Sequence, residues 1–250
     1  MINYIVYSNT DYLDVLKIQT DYMQNIGNLS LFINKNDLDL SEIYSKYDNV
    51  IFYDGNDTYA KRLMTCLNQI DFEYFVLIHD IDILLKVKDE TIINFFDFIK
   101  KNNVDRIDLK YTEKTNDIIE FDLNGLFLVP QKNENNFIYN VNPSIWKKSA
   151  LLDIVTSFQH KTYRTIEDID VQIFAKKFNV YKLNKEPKIS CGYFNCVDDF
   201  IFLHISHSGK FLTLPSNFVT EYGQSYGDIA NEYVKIVEKY NLKNSNKWNR

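Results

Sequence analysis

At 250 residues and 45% hydrophobic content, the chain has enough apolar material for one large α/β domain or two small ones, and too much for a disordered chain. A net charge of −6, with lysines scattered among acids, argues against a nucleic-acid-binding surface. No run approaches the roughly 18 apolar residues of a membrane span, and the opening MINYIVYSNTDY has no basic n-region or cleavage site, so a cytoplasmic protein is expected.

In chain order, residues 3–7 (NYIVY) read as a buried strand, and Ser8-Asn9-Thr10-Asp11 as a turn and helix N-cap. Tyr12, Val15, Leu16, Tyr22, Met23 and Ile26 then recur at near-helical spacing. Residues 29–33 and 50–53 are the second and third strands, with a polar helix or loop between them. Residues 58–70 place Tyr59, Leu63, Cys66, Leu67 and Ile70 on one helical face. Residues 74–85 (YFVLIHDIDILL) run from an apolar, β-favouring stretch into the charged knot His79-Asp80-Ile81-Asp82 and out into another apolar run.

A helix over 90–101 is expected to turn Ile92, Ile93, Phe95, Phe96 and Ile99 inward, followed by strands over 105–111 and 125–129. Residues 112–122 and 131–136 read as polar loops. In 137–146 (FIYNVNPSIW), Pro143 stops a strand and Ser144 is placed to cap a helix carrying Ile145, Leu151, Leu152 and Val155. Thr165 is expected to cap a helix through Phe178, with Asp168 as capping-box partner, ahead of a strand at 180–183. The domain is expected over 1–220, with 221–250 a polar helix and frayed tail. Cys66, Cys191 and Cys196 have no tetrahedral metal-site spacing and suit a reducing compartment as free thiols, with a Cys191–Cys196 pair the alternative.

Alternating strands and helices predict a parallel sheet covered on both faces, with ligands at the carboxyl ends of its strands. The turns at 8–11, 54–57 and 80–82 all fall there. Side chains alternate along a strand, so Asp80 and Asp82 can point to one side. Two adjacent carboxylates beside a core need a cation or water, and Mg²⁺ or Mn²⁺ takes one or two carboxylates with substrate phosphates completing its shell. Solvated acids in a loop are the plain alternative.

Taken together, Asp80-x-Asp82, the segment Asn142-Pro143-Ser144-Ile145-Trp146, the pair Glu167-Asp168 and the late His204-x-x-His207-Ser208-Gly209-Lys210 resemble a GT-A-fold glycosyltransferase over residues 3–215. The resemblance implies an α/β, GT-A (Rossmann-like), mostly parallel central sheet with helices on both faces. It also implies a metal-dependent, inverting transfer of a sugar from a UDP- or GDP-sugar donor to a hydroxyl on a glycan, protein or lipid. In that reading Asp80 and Asp82 hold Mn²⁺ or Mg²⁺, with Asp82 the direct ligand and His207, or else His204, completing the set. Asp168 is the first choice for general base and Glu167 the second, against a capping role for both.

Ser8, Asn9 and Asp11 form a natural seat for the nucleotide, while Arg62 and Lys210 are placed to meet base or phosphate. Simple capping and an exposed, solubilising arginine are the competing readings. Trp146 is assigned to the core and His79 to a structural hydrogen bond. Two other classes stay open: a non-catalytic nucleotide-sugar or glycan-binding module of the same fold, and a D-x-D phosphoryl-transfer enzyme. The second fits poorly because Ile83-Leu84-Leu85 follows the acids.

Overall fold

The computed structural model describes residues 1–24, 26–109, 121–123, 126–130, 138–183, 194–197, 200–204, 206–207, 210–211 and 224–244; of those within 121–130, 194–201, 204–211, 224–230 and at 244 it describes the backbone alone. The first strand, β1 (Asn3–Tyr7), shows how the sheet divides the protein. Tyr4 and Val6 enter one buried cluster while Ile5 and Tyr7 enter the other, as the two-residue strand period requires.

Around β1 lie β2 (Asn28–Asn34), β3 (Asn49–Tyr53) and β4 (Tyr74–His79), all parallel. Beyond β4 come β9 (Ser144–Lys147), β6 (Arg106–Asp108), β10 (Val180–Leu183), β8 (Leu126–Pro130) and β7 (Phe121–Leu123). The described order is β3-β2-β1-β4-β9-β6-β10-β8-β7. Only β9 and β8 run against the rest, so seven of the nine strands share one direction. This is the α/β architecture that the sequence predicts, a mostly parallel central sheet with helices on both faces.

Helices cover both faces. α1 (Leu13–Tyr22), the short α2 (Ser41–Tyr44) and α4 (Asp89–Lys101) pack on the face of Tyr4 and Val6. α3 (Tyr59–Leu67), α5 (Lys148–Ser157) and α6 (Ile169–Ala175) pack on the face of Ile5 and Tyr7. α3 forms because Thr58 caps it, its hydroxyl accepting from Lys61 N at 3.3 Å, a contact worth about 1 kcal/mol. Its face of Tyr59, Leu63, Cys66 and Leu67 is fully packed, each large apolar side chain contributing roughly 1.5–3 kcal/mol. A late helix, α7 (Gln224–Lys239), lies on α1, where Tyr22 donates to Glu232 at 2.8 Å. Among the described residues no helix is long and apolar enough to cross a membrane.

Several local expectations are corrected. Ile93 is 48% exposed, and Phe98 takes the inward place on α4. Ser144 caps no helix: residues 144–147 are β9, inserted between β4 and β6, because Ser144 and Trp146 suit a buried strand and the helix waits until Lys148. Thr165 spends its hydroxyl within its own turn on Thr162, and α6 starts at Ile169 with Asp168 at its N-cap, making no side-chain cap bond, and ends at Ala175. Residues 121 and 122, read as the end of a loop, belong to strand β7 (Phe121–Leu123). Trp146, at 2% exposure, is core as expected, and Cys66 is a free buried thiol. Residues 110–120, 131–137 and Cys191 lie outside the described residues.

Candidate active site

The chain builds β1, β2 and β3 outward, then returns to lay β4 on the other side of β1. Carboxyl ends of two such neighbouring strands splay apart, because their connections leave in opposite directions, and the crevice between them is where open α/β sheets bind ligands. In this protein that crevice is flanked by Ser8 after β1 and Asp80 after β4. The Ser8 hydroxyl donates to Asp80 Oδ2 at 2.9 Å, the Asn9 N–H donates to the same oxygen at 3.3 Å, and Asp80 N donates to the Tyr7 carbonyl at 3.0 Å. Residues 72 apart in sequence are thus joined across the switch point.

The acidic knot is not one continuous strand. β4 ends at His79, Asp80-Ile81 form a turn, and Asp82 opens β5 (Asp82–Val87), which leaves the main sheet to pair with β12 (Phe200–His204). Beyond β12 lies β11 (Phe194–Val197), completing a second sheet of three strands. Both carboxylates are buried, at 7% and 9% exposure. Burial is the largest influence on Asp80 and pushes its carboxyl up to about 7; hydrogen bonds from Ser8, Asn9 and Ile81 act against that, and Asp82 adds to it. Among the described residues, the hydrogen bonds that relieve Asp80 come from neutral donors.

β12 brings His204 here. In backbone register His204 lies opposite Asp82. His207 ends β13 (Ser206–His207) and is paired with Lys210 at the start of β14 (Lys210–Phe211). The side chains of His204, His207 and Lys210 lie outside the described residues. Among the described ones, no group of three or more His, Cys, Asp and Glu is arranged to hold a metal. Asp80 and Asp82 nonetheless fit a Mg²⁺ or Mn²⁺ held by two carboxylates and substrate phosphates.

Of the nucleotide candidates, Ser8 commits its hydroxyl to Asp80. Asn9 caps a 3-10 turn (Thr10–Tyr12) by accepting from Asp11 N at 2.9 Å, and Asp11 itself is exposed. Asn34, the last residue of β2, accepts from Thr10 N at 2.8 Å, so it braces this turn from the neighbouring strand. Arg62 folds back over the Tyr53 ring, 5.4 Å from its centroid, and donates to the Gly55 carbonyl. Tyr53 in turn donates to the Ser8 carbonyl at 2.6 Å. Arg62 therefore shapes the loop after β3 at the rim of the same crevice.

The other wall is made by residues 138–143, just before β9, and 159–168, before α6. The second segment docks on the start of α3 through Thr58, which donates to the Gln159 carbonyl, and Ala60 N, which donates to the Lys161 carbonyl at 3.2 Å. Glu167 accepts from Val141 N at 2.7 Å, tying the two segments together. Asp168 is half exposed and bound to Lys161 at 2.9 Å; the same ammonium reaches Asp170 at 2.9 Å. Tyr163 meets His79 edge-on, with ring centroids 5.7 Å apart. His79 shares a 2.8 Å hydrogen bond with the Tyr59 hydroxyl, and burial pushes its imidazole down to about 4, so it is neutral. That agrees with the structural role expected of His79.

Sequence reasoning missed Gln19, Tyr163 and Arg106. Gln19 is fully buried on α1 and donates through Nε2 to the carbonyls of His79 (3.3 Å) and Asp82 (2.9 Å). Its signal was available: it falls four residues after Val15 and three after Leu16, so a polar amide occupies the apolar stripe. Arg106, also fully buried, donates to the Ile138 carbonyl at 2.6 Å and to Ser144 Oγ at 2.7 Å, and pairs with Asp108 at 3.3 Å. It underpins the 138–143 wall.

No protein-family model matches the chain, and no curated protein does. Solved structures are similar in fold. Residues 1–349 of S. aureus TarS, solved with UDP-GlcNAc, share 14% identity with a TM-score of 0.49, over 74% of this chain and 57% of that one. A cytidylyltransferase from Leptospira borgpetersenii shares 12% with a TM-score of 0.46, over 74% and 77%. A UDP-glucose pyrophosphorylase shares 11% with a TM-score of 0.45, over 74% and 91%. No family follows from these. The chain spans little more than half of the TarS fragment, and likenesses this remote say nothing about activity.

Proposed function

We propose that the protein is a metal-dependent glycosyltransferase that moves a sugar from a UDP- or GDP-sugar to a hydroxyl acceptor with inversion. The observation that carries this reading is the buried Asp80–Asp82 pair at the sheet's switch point, where, among the described residues, the hydrogen bonds that relieve Asp80 come from the neutral donors Ser8, Asn9 and Ile81. Mg²⁺ or Mn²⁺ bound there would neutralise the negative charge that develops on a departing diphosphate.

Within this reading Asp82 ligates the cation and Asp80 supports it from the β1 turn, with His204 and His207 the candidates for a further ligand. Ser8, Asn9 and Asp11 border the nucleotide, Arg62 holds the loop beside it, and Lys210 neutralises phosphate. Asp168 takes the acceptor's proton, with Lys161 orienting its carboxylate, and Glu167 is the second candidate for that role. Glu167 already spends one oxygen on Val141 N, which suits it to holding the wall together.

Thermal-shift titration with UDP- and GDP-sugars, with and without Mn²⁺, tests the proposal, since a ligand that binds only the folded state raises the melting temperature. A metal-dependent rise in wild type that vanishes in Asp82→Ala is expected. Full metal-dependent transfer or donor hydrolysis by Asp82→Ala would show the central assignment to be wrong.

A further inference from the structure

Gln19 presents an arrangement that packing alone does not account for. Both atoms facing its amide group are carbonyl oxygens, of His79 and of Asp82. A carbonyl can only accept, so the NH₂ end of the side chain must face them. The opposite end, Oε1, is then buried with no hydrogen-bond partner. A buried acceptor without a partner costs on the order of 1–3 kcal/mol. Leucine or methionine would fill this place on the apolar stripe of α1 without that cost, so the two N–H donors are what the residue contributes.

Those donors grip the turn at its two ends. The His79 carbonyl immediately precedes Asp80, and the second accepting carbonyl belongs to Asp82 itself. Ser8 and Asn9 hold the Asp80 carboxylate from the β1 side, while the β5–β12 ladder begins only at Asp82. At this point the chain passes from the main sheet into the second sheet, and no ladder of either sheet spans Asp80-Ile81. Gln19 adds a restraint on both ends of the turn from a third element, α1.

Resting on the metal-site reading above, we propose that Gln19 is a positioning residue: its side-chain amide fixes the spacing of Asp80 and Asp82 and so presets their geometry for a divalent cation. It touches neither cation nor substrate. Groups that orient metal ligands typically change affinity by 10- to 100-fold when removed.

The test measures Mn²⁺ alone, by electron paramagnetic resonance titration of the full chain, in wild type, Gln19→Met and Asp82→Ala, with a thermal melt of each in chelator. Gln19→Met keeps the bulk of the side chain but loses the donors. It is expected to bind Mn²⁺ at least tenfold more weakly than wild type while melting, metal-free, within a few degrees of it. Asp82→Ala is expected to lose binding altogether. Wild-type affinity in Gln19→Met overturns the role of Gln19 and leaves the metal site standing. Equal binding by Asp82→Ala and wild type, or none by wild type, overturns the metal site and this inference with it.

Should Gln19→Met fail to fold, the wild-type protein still decides. Its Gln19 side-chain NH₂ resonances are expected to be protected from exchange and to shift on Mg²⁺ titration with the midpoint of Mg²⁺ binding. Freely exchanging, unshifted resonances would overturn the proposal.

Discussion

Asp80 illustrates how a side chain acquires its chemistry from neighbours far away in sequence. Its carboxyl ordinarily ionises near 3.8, and the fold raises that to about 7, chiefly through burial. A raised carboxyl means that the folded state binds its proton more tightly than the unfolded state. The associated stability is complete below about 3.8 and is lost as pH rises through about 7. In chelator, the metal-free protein is therefore expected to lose stability between pH 4 and 8. Asp80→Asn, whose amide oxygen can still accept from Ser8 and Asn9, should gain on wild type steadily across that interval. Urea midpoints measured against pH check this, and parallel profiles would contradict it. The base assignment is also a residue-scale matter. Asp168→Asn is expected to lower kcat by about 10²-fold or more with little change in melting temperature, because the side chain is half exposed. Glu167→Gln retains an acceptor for Val141 N and should keep most of its activity. Both acids were visible in the sequence; their different partners, Lys161 and Val141, were not.

Among the elements, α1 does the most to connect the site to the rest of the molecule. Its buried face carries Gln19, and its last turn carries Asp21 and Tyr22, on which α7 and the residue after it are fastened through Tyr22–Glu232 at 2.8 Å and Tyr240–Asp21 at 2.5 Å. Tyr22→Phe is expected to cost about 1 kcal/mol, read as a lower denaturant midpoint, with amide exchange quickening in α7 before it does in β4. The wall at 138–143 depends in the same way on Arg106. Replacing it with methionine strands the Ile138 carbonyl and leaves Asp108 buried without this partner, so a loss of roughly 3 kcal/mol or more is expected in equilibrium unfolding. The sequence reading mistook this region because Pro143-Ser144 looks like the start of a helix. Cross-strand pairing with β4 and β6 outweighs that local preference.

For the whole molecule, strand order matters more than any single element. Four parallel strands in the order β3-β2-β1-β4 put the turns at 8–11, 54–57 and 80–82 at the same carboxyl edge of the sheet, with the switch-point crevice between β1 and β4. A nucleotide sugar bound there with its cation at 100 times its Kd should stabilise the protein by about 2.7 kcal/mol, measurable as a denaturant shift that needs both components. The strand periods, the apolar face of α3 and the acidic knot could all be read from residues 3–85, because alternation and helical spacing are properties of near neighbours in the chain. So could the parallel α/β class that follows from them. Tertiary structure alone decided that Asp80 and Asp82 sit on either side of a junction between two sheets, and that Ser8 and Gln19 hold them from 72 and 63 residues away. It also decided that Glu167 turns to Val141. These contacts depend on how strands and helices meet in space, and local periodicity does not encode such meetings. A lone glutamine on an apolar stripe signals that something polar lies opposite, but only the folded chain shows that it is the turn carrying both acids.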